Sequence, residues 1–416
     1  MPSPVSTLPP CIVLGMETQI GLGIVRELGR AGVPVIGIAH ESDAIGLASR
    51  YLSRSMVVNP PRSVELIEAI RALGEEFGPC SLLTVSEANQ AWLAQHRNSF
   101  GKVQPVVPTQ EKLAIVLDKQ RTLQAARAVG IDVPETIEFA SLKQAHALAS
   151  SLVFPAVLKW KDPNAVAKKL SANGLALLKA EYVYTREEFL AAVQRYEPLG
   201  EWPIVQAYCP GRGLGQFFYM HQRQAVRRFQ HLRVAEWPPE GGFSSVCDSV
   251  PLEQHKALQE KSIALLRQIG WEGVAMVEYR WDPMTDQAVL MEINGRYWGS
   301  YPLAMHCHAD FALISYYLES GLSLPALPDL HPGIRCRMMS TEIKRLARIF
   351  LHPELIVDRS FKIRRWAETV RFIMDFFRPG VRYYVWDRSD PLPFMADLKN
   401  ILQKLVKRFQ LRSAKP

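Results

Sequence analysis

Val274 to Ser300 reads VAMVEYRWDPMTDQAVLMEINGRYWGS. Two apolar-rich runs flank DPMTD, a turn-forming segment, so the stretch reads as a β-hairpin. Glu278 stands between Val277 and Tyr279 on the first run, while Glu292, Asn294 and Arg296 alternate on the second. Successive side chains of a strand point to opposite faces, so the alternating residues share one face and the hairpin adds Glu278 to it. Two carboxylates, a carboxamide oxygen and a guanidinium then converge. Hard oxygen donors suit Mg²⁺, with Mn²⁺ as a substitute, because such an ion takes few protein ligands and completes its octahedron with water and phosphate. Glu278, Glu292 and Asn294 are the candidate metal ligands. An exposed sheet face with one Glu–Arg pair would explain the alternating charge, but it does not call for an Asn between apolar flanks followed by Gly295.

Upstream of the hairpin the texture is strands with short connections. Trp202 to Met220, WPIVQAYCPGRGLGQFFYM, reads as a strand, a glycine-rich loop and a second strand. Phe154 to Trp160, FPAVLKW, is a strand ending in Lys159, and Lys168 to Tyr184 reads as a loop followed by a strand. Thr109 to Gly130 has a Thr N-cap, helical spacing and a glycine stop, which predicts one long helix or two in series. The first hundred residues alternate buried-strand runs (CIVLG from Cys11, VPVIGIA from Val33, SLLTVSE from Ser81) with helical patterns, the mark of a parallel α/β sheet. Gly15, Gly21 and Gly23 do not have dinucleotide-loop spacing, and no acid ends the second strand, so tight strand-to-helix packing is the plainer reading. Prolines 105 and 108 place a boundary there. The expected organisation is an α/β region over 1–108, a core region over 109–330 with a lid at about 137–203, and a basic extension over 331–416.

Charge and composition remove several function classes. The 416 residues are 48% hydrophobic and 22% charged, with no apolar stretch of membrane-spanning length, which excludes disorder and predicts no transmembrane segment. Six scattered cysteines without a CxxC pair, and a first segment lacking signal-peptide character, predict free thiols and a cytoplasmic setting. The net charge of +8 could suggest nucleic acid, but residues 331–416 hold 19 Lys and Arg against 8 acids, so the first 330 residues carry −3. No nucleic-acid partner is therefore expected. Phe394, Leu398, Ile401, Leu405 and Phe409 form one stripe of a basic C-terminal helix, read as docking on the body, with peripheral membrane contact as the alternative. His306, Cys307 and His308 are read as packing.

Four stretches in order, DKQRTLQAARAVGIDVPET from Asp118, FPAVLKW from Phe154, IVQAYCPGRGLG from Ile204 and the hairpin from Glu278, resemble the ATP-grasp ligases of the carboxylate–amine kind. With the leading α/β domain, the resemblance covers about residues 10 to 330. It implies a Rossmann-like N-terminal parallel sheet followed by an ATP-grasp fold of two α+β subdomains, and a mainly helical extension outside the pattern. It implies ATP as cofactor, an acylphosphate intermediate, and amide formation from a small carboxylate and an amine. A phosphotransferase or carboxylase acting on another acceptor, and a non-catalytic nucleotide-binding module, are the alternatives. A homodimer is the expected assembly.

Carried over by position, the resemblance implies that Lys159 reaches the ATP phosphates and that Lys119 adds a basic phosphate contact. Gln206 and Tyr208 lie in the segment that meets adenine, with Gln216 as a weaker ribose contact. Arg296 would meet the transferred phosphoryl group. Arg233, with Gly241, Gly242, Ser244 and Ser245, offers an anion cradle. Two departures stand out. The lid segment SANGLALLKA has one glycine, which leaves Lys168, Lys169 and Lys179 competing for the second phosphate contact, Lys179 being taken first. The segment from Pro210 to Gln216 has no acid for the ribose.

Overall fold

The computed structural model describes residues 8–178 and 180–413. Three sheets organise them. The first is parallel, in the order β3-β2-β1-β4-β5, from β1 (Cys11–Leu14), β2 (Val35–Ala39), β3 (Leu52–Val57), β4 (Cys80–Thr84) and β5 (Val103–Pro105). Its central strands are buried on both faces, as their unbroken apolar runs require. Ile12, Leu14, Ile36, Ile38 and Leu82 pack on the helices Val64–Phe77 and Glu87–Gln95. Cys11, Val13, Val35 and Leu83 face the helix Gln19–Arg30, capped by Thr18. The glycines after β1 serve close packing: a Cβ on Gly21 would stand 2.2 Å from the Gly15 carbonyl oxygen, and one on Gly23 would meet the Tyr301 ring.

The second sheet is small, in the order β6-β9-β7-β8, from β6 (Thr136–Ile137), β7 (Ala156–Lys159), β8 (Glu181–Val183) and β9 (Ile204–Ala207). The third has seven strands in the order β14-β13-β10-β11-β12-β15-β16, from β10 (Arg212–His221), β11 (Gln224–Trp237), β12 (Phe243–Ser249), β13 (Gly273–Asp282), β14 (Gln287–Asn294), β15 (Arg335–Arg337) and β16 (Val381–Tyr383). Leu214, Phe218, Tyr279 and Ile293 of this sheet pack beneath the helices Gln110–Leu117, Lys119–Ala128 and Lys256–Gln268. On its other face Phe217 and Met276 join Trp298 and Tyr301 in a core shared with the N-terminal helix.

Several expectations change in three dimensions. Of the two expected readings before Gly130 the chain takes the two helices in series, broken at Asp118, whose carboxylate accepts from the Gln120 and Arg121 backbone N–H groups as N-cap of the second. Lys168 and Lys169 belong to the helix Pro163–Ala172 rather than to a loop, and Lys179 lies outside the described residues. Gly213 and Gly215 sit within β10 rather than in a loop, because side chains of β11 cross over them.

The extension is not an appendage beyond residue 330. Its β15 and β16 lengthen the seven-stranded sheet, and its Asp390 is buried against the N-terminal region, accepting from Arg26 Nε at 3.0 Å, Ser49 Oγ at 2.7 Å and the Arg50 N–H at 2.9 Å. The final helix, Leu392–Ser413, docks by its first half: Phe394 stacks edge-on with Trp386, and Asn400 Nδ2 donates to the Asp43 carbonyl. Of the expected stripe, Phe394 and Ile401 are partly buried, Leu398 is exposed, and the side chains of Leu405 and Phe409 lie outside the described residues. No helix among the described residues is long and apolar enough to cross a membrane.

Candidate active site

A cleft of about 370 Å³ opens between the four-stranded and seven-stranded sheets. Lys119, Lys159, Gln206, Tyr208, Arg233, Glu278 and Glu292 all line it, so seven of the residues singled out in the sequence meet in one cavity. They come from distant segments, and the sheet pairing shows why they converge.

On the seven-stranded side, Glu278 of β13 pairs directly with Glu292 of β14. A bulge at Met291 adds one residue to β14 between Leu290 and Glu292, so Leu290 stays in the core while Glu292 faces the cleft. Arg233 of β11 crosses β10 over Gly213, where a Cβ would stand 2.5 Å from the Arg233 Cδ. Its guanidinium donates to Glu278 at 2.6 Å, to Glu236 at 3.0 Å and to the Gly242 carbonyl at 2.8 Å. Burial works against this charge, but Glu278 and Glu236 outweigh it and hold the Arg233 pKa above its ordinary value. Arg233 is thus a strand residue clamped between carboxylates, not part of an open loop cradle. Arg280 reaches Glu236 at 3.4 Å and lines the same wall.

Asn294 is buried, and its carboxamide is used on both sides: Nδ2 donates to Glu292 at 3.2 Å and Oδ1 accepts from Arg296 Nη2 at 3.2 Å. It orients Glu292 rather than pointing its oxygen into the cleft. Gly295 follows because Trp271 lies where its Cβ would be, at 2.3 Å. Arg296 sits at the edge shared with the N-terminal sheet, its Nε donating to Glu87 at 2.9 Å, and it does not line the cavity. Gln216 lies on the other face of the sheet, fully buried, where its oxygen accepts from Ser262 at 2.7 Å. The register decides this outcome: Gly213 and Gly215 face the cleft side, so Gln216 between Gly215 and Phe217 faces the helix Lys256–Gln268.

On the four-stranded side, Lys159 ends β7 and Val157 of β7 pairs with Gln206 of β9, and all three residues line the cavity. The chain then passes from this sheet to the other through Tyr208 and Cys209, also in the wall. Burial raises the Cys209 thiol pKa while Lys159 and Arg280 pull it down, which places both cations around the hinge. Lys119 enters as the first residue after the Asp118 cap. Lys168 and Lys169 do not line the cavity, and Lys169 pairs with Glu201. Leu178 and Ala180, the sequence neighbours of Lys179, do line it.

The extension supplies residues that sequence reasoning did not assign: Arg348, Leu355 and Val357 close part of the cavity. Next to them Asp358, nearly inaccessible, accepts from Tyr184 Oη at 2.6 Å and from Tyr208 Oη at 3.1 Å. Burial and then Asp358 push the Tyr184 phenol up to about 12. This strap ties the lid and the hinge to the body. No local motif announces it, since its partners lie some 150 to 174 residues away.

Among the described residues no group of three or more His, Cys, Asp or Glu could hold a metal by itself. The paired Glu278 and Glu292 fit an ion that takes part of its shell from a bound polyphosphate, which is the habit of Mg²⁺.

The chain is similar in overall fold to several solved structures. The chain resembles biotin carboxylase from Campylobacter jejuni at 16% identity and a TM-score of 0.59, over 79% of this chain and 74% of that one. The fold is ATP-grasp. N5-carboxyaminoimidazole synthetase from Staphylococcus aureus, complexed with ADP, matches the ATP-grasp chain at 12% identity and a TM-score of 0.55, over 79% and 80%. L-amino acid ligase from Bacillus licheniformis matches at 15% and 0.54, over 79% of each chain. Residues 247–326 match the family described as carbamoyl-phosphate synthase L chain, ATP binding domain, a span that contains Glu278, Glu292, Asn294 and Arg296 of the ATP-grasp wall. No curated protein sequence matches the chain.

Proposed function

We propose that the protein is an Mg²⁺/ATP-dependent ligase that activates a small-molecule carboxylate as an acylphosphate and joins it to an amine. The observation that carries this reading is the meeting of Lys119, Lys159, Gln206 and Tyr208 with Glu278 and Glu292 in one cavity. Gln206 and Tyr208 at the hinge bind the nucleotide base. Lys159 and Lys119 neutralise the phosphates, and Lys179, outside the described residues, is kept as the second lysine on the resemblance alone. Glu278 and Glu292 would hold Mg²⁺, which supplies charge neutralisation of the polyphosphate. Asn294 and Arg233 position those two carboxylates.

Phosphoryl transfer needs little covalent help, so the remaining work is orientation and charge stabilisation. The carboxylate oxygen attacks the γ-phosphorus, ADP leaves, and an amine then displaces phosphate from the acyl carbon. Arg296 lies outside the cavity lining and acts through Asn294, while Arg280 and Arg348 in the wall are the cations offered to the acylphosphate. Arg348 and Arg280 favour an anionic substrate in the cavity.

The test is an ADP-release screen over paired carboxylates and amines, read by product mass. Hydroxylamine should intercept the activated acid as a hydroxamate. ATP and Mg²⁺ binding without ADP release for any carboxylate, or product formation with bicarbonate alone, would replace this reading by a binding module or a carboxylase.

A further inference from the structure

Two helices of the extension have their faces reversed. In the helix Arg365–Met374 and the turn after it, Trp366, Val370, Ile373, Met374 and Phe377 point to solvent, Trp366 at 84% and Phe377 at 76% exposure. Their spacing of four, three, one and three residues is a single helical face. The inward face is ionic instead. Glu368 binds Arg345 at 2.7 Å and Arg371 at 3.0 Å, and Arg371 continues to Glu342 at 2.8 Å. The helix Met339–Leu351 repeats the pattern, burying Glu342 and Arg345 while exposing Ile343, Phe350 and Leu351. Phe350 and Trp366 line one shallow groove, so the two apolar faces adjoin. A helix in water turns its charged side outward. Here the charged side is spent inside, in pairs that cost desolvation, and the apolar side is left out.

The charge around this face identifies what covers it. The acids of the two helices, Glu342 and Glu368, and Asp375 just after the second, are taken up by Arg335, Arg337, Arg345 and Arg371. Lys362, Arg364 and Arg365 remain exposed at its border, with no ion pair among the described residues, and Lys344 is exposed with Asp397 near it. Isologous contact with a second copy would bring these cations against one another. An apolar face with an exposed tryptophan and a cationic rim instead matches the headgroup boundary of an anionic bilayer. We propose that the helices Met339–Leu351 and Arg365–Met374 seat the protein on anionic lipid, with Trp366 and Phe377 inserted at the headgroup level. The helix carrying Phe350 also carries Arg348 of the cleft, so the seated surface lies beside the cavity.

The experiment is flotation of the full chain with vesicles of phosphatidylcholine alone and of an equal mixture with phosphatidylglycerol. Binding is expected to the mixed vesicles only, and should be lost at about 1 M salt. The double variant Lys362→Gln/Arg364→Gln should partition roughly 30-fold more weakly, two cations being removed from the surface field. Trp366→Ser should abolish flotation, and the fluorescence difference between wild type and Trp366→Phe should shift to the blue on adding mixed vesicles. Because these side chains are exposed, the melting temperature and lipid-free ADP release should be unchanged, which separates this proposal from the ligase reading. No flotation with either vesicle, flotation indifferent to the variants, or a soluble dimer dissolved by Trp366→Ser would overturn it.

Discussion

The two walls of the cleft handle charge in opposite ways. On the seven-stranded wall the charged groups hold one another: Arg233 spans Glu278 and Glu236, Arg280 joins Glu236, and Asn294 links Glu292 to Arg296. On the lid wall the pairs point away from the cavity, Lys161 to Glu138, Lys169 to Glu201 and Arg195 to Glu181, and they are largely exposed. The side chains of the first wall are therefore held in place by one another. The second wall contributes Lys119 and Lys159 to the cavity and is tied to the body through Tyr184 and Tyr208 at Asp358.

Four substitutions test that contrast, the largest effect first. Glu292→Gln keeps the shape and removes the charge, and ADP formation should fall on the order of 10³-fold with an unchanged melting curve. Normal turnover would remove Glu292 from the metal wall. Lys159→Ala should lower kcat/KM for ATP by about 10²-fold, because it removes a cation that lines the cavity. An effect no larger than that of Lys168→Ala would make the lid wall electrostatically idle.

Arg233→Met should cost about 3 kcal/mol of stability in urea unfolding, since Glu278 would keep its burial and lose this cation, and Glu236 would keep only Arg280 at 3.4 Å. A loss under 1 kcal/mol would mean that water replaces the clamp, and that the wall is less rigid than its hydrogen bonds imply. Lys169→Ala breaks only an exposed pair with Glu201, so stability should change by less than about 0.5 kcal/mol and turnover should stay within roughly twofold. A large loss of turnover there, with Lys179→Ala silent, would reassign the second lid lysine.

The chemistry of the seven-stranded wall is periodic, and of the four hairpin residues Glu278 and Glu292 line the cavity while Asn294 and Arg296 do not. Glu292, Asn294 and Arg296 alternate along a strand, and alternation in the chain is alternation in space for as long as the strand runs straight. Lys168 and Lys169 lie in the helix Pro163–Ala172 instead of a loop because the residues around them carry no period that separates a short helix from a loop, and neither lines the cavity. Gln216 was misread for a related reason. PGRGLG looks like a turn, and only the pairing of β10 with β11 and β13 makes it a strand whose glycines give way to Arg233 and His231. Residues 331–416 were set apart by their basic composition, yet β15 and β16 are the edge of the main sheet.

By itself the sequence determined the parallel first domain, the Glu-bearing hairpin and the strand that ends in Lys159, because each rests on the spacing of residues close together in the chain. The tertiary structure alone decided which carboxylates neutralise Arg233, that Asp358 straps the lid through two tyrosines, and that two helices turn their ionic faces inward. Those outcomes depend on pairings across tens to hundreds of residues, where the register of a strand or the rotation of a helix sets which side chain meets which. No local pattern records that choice.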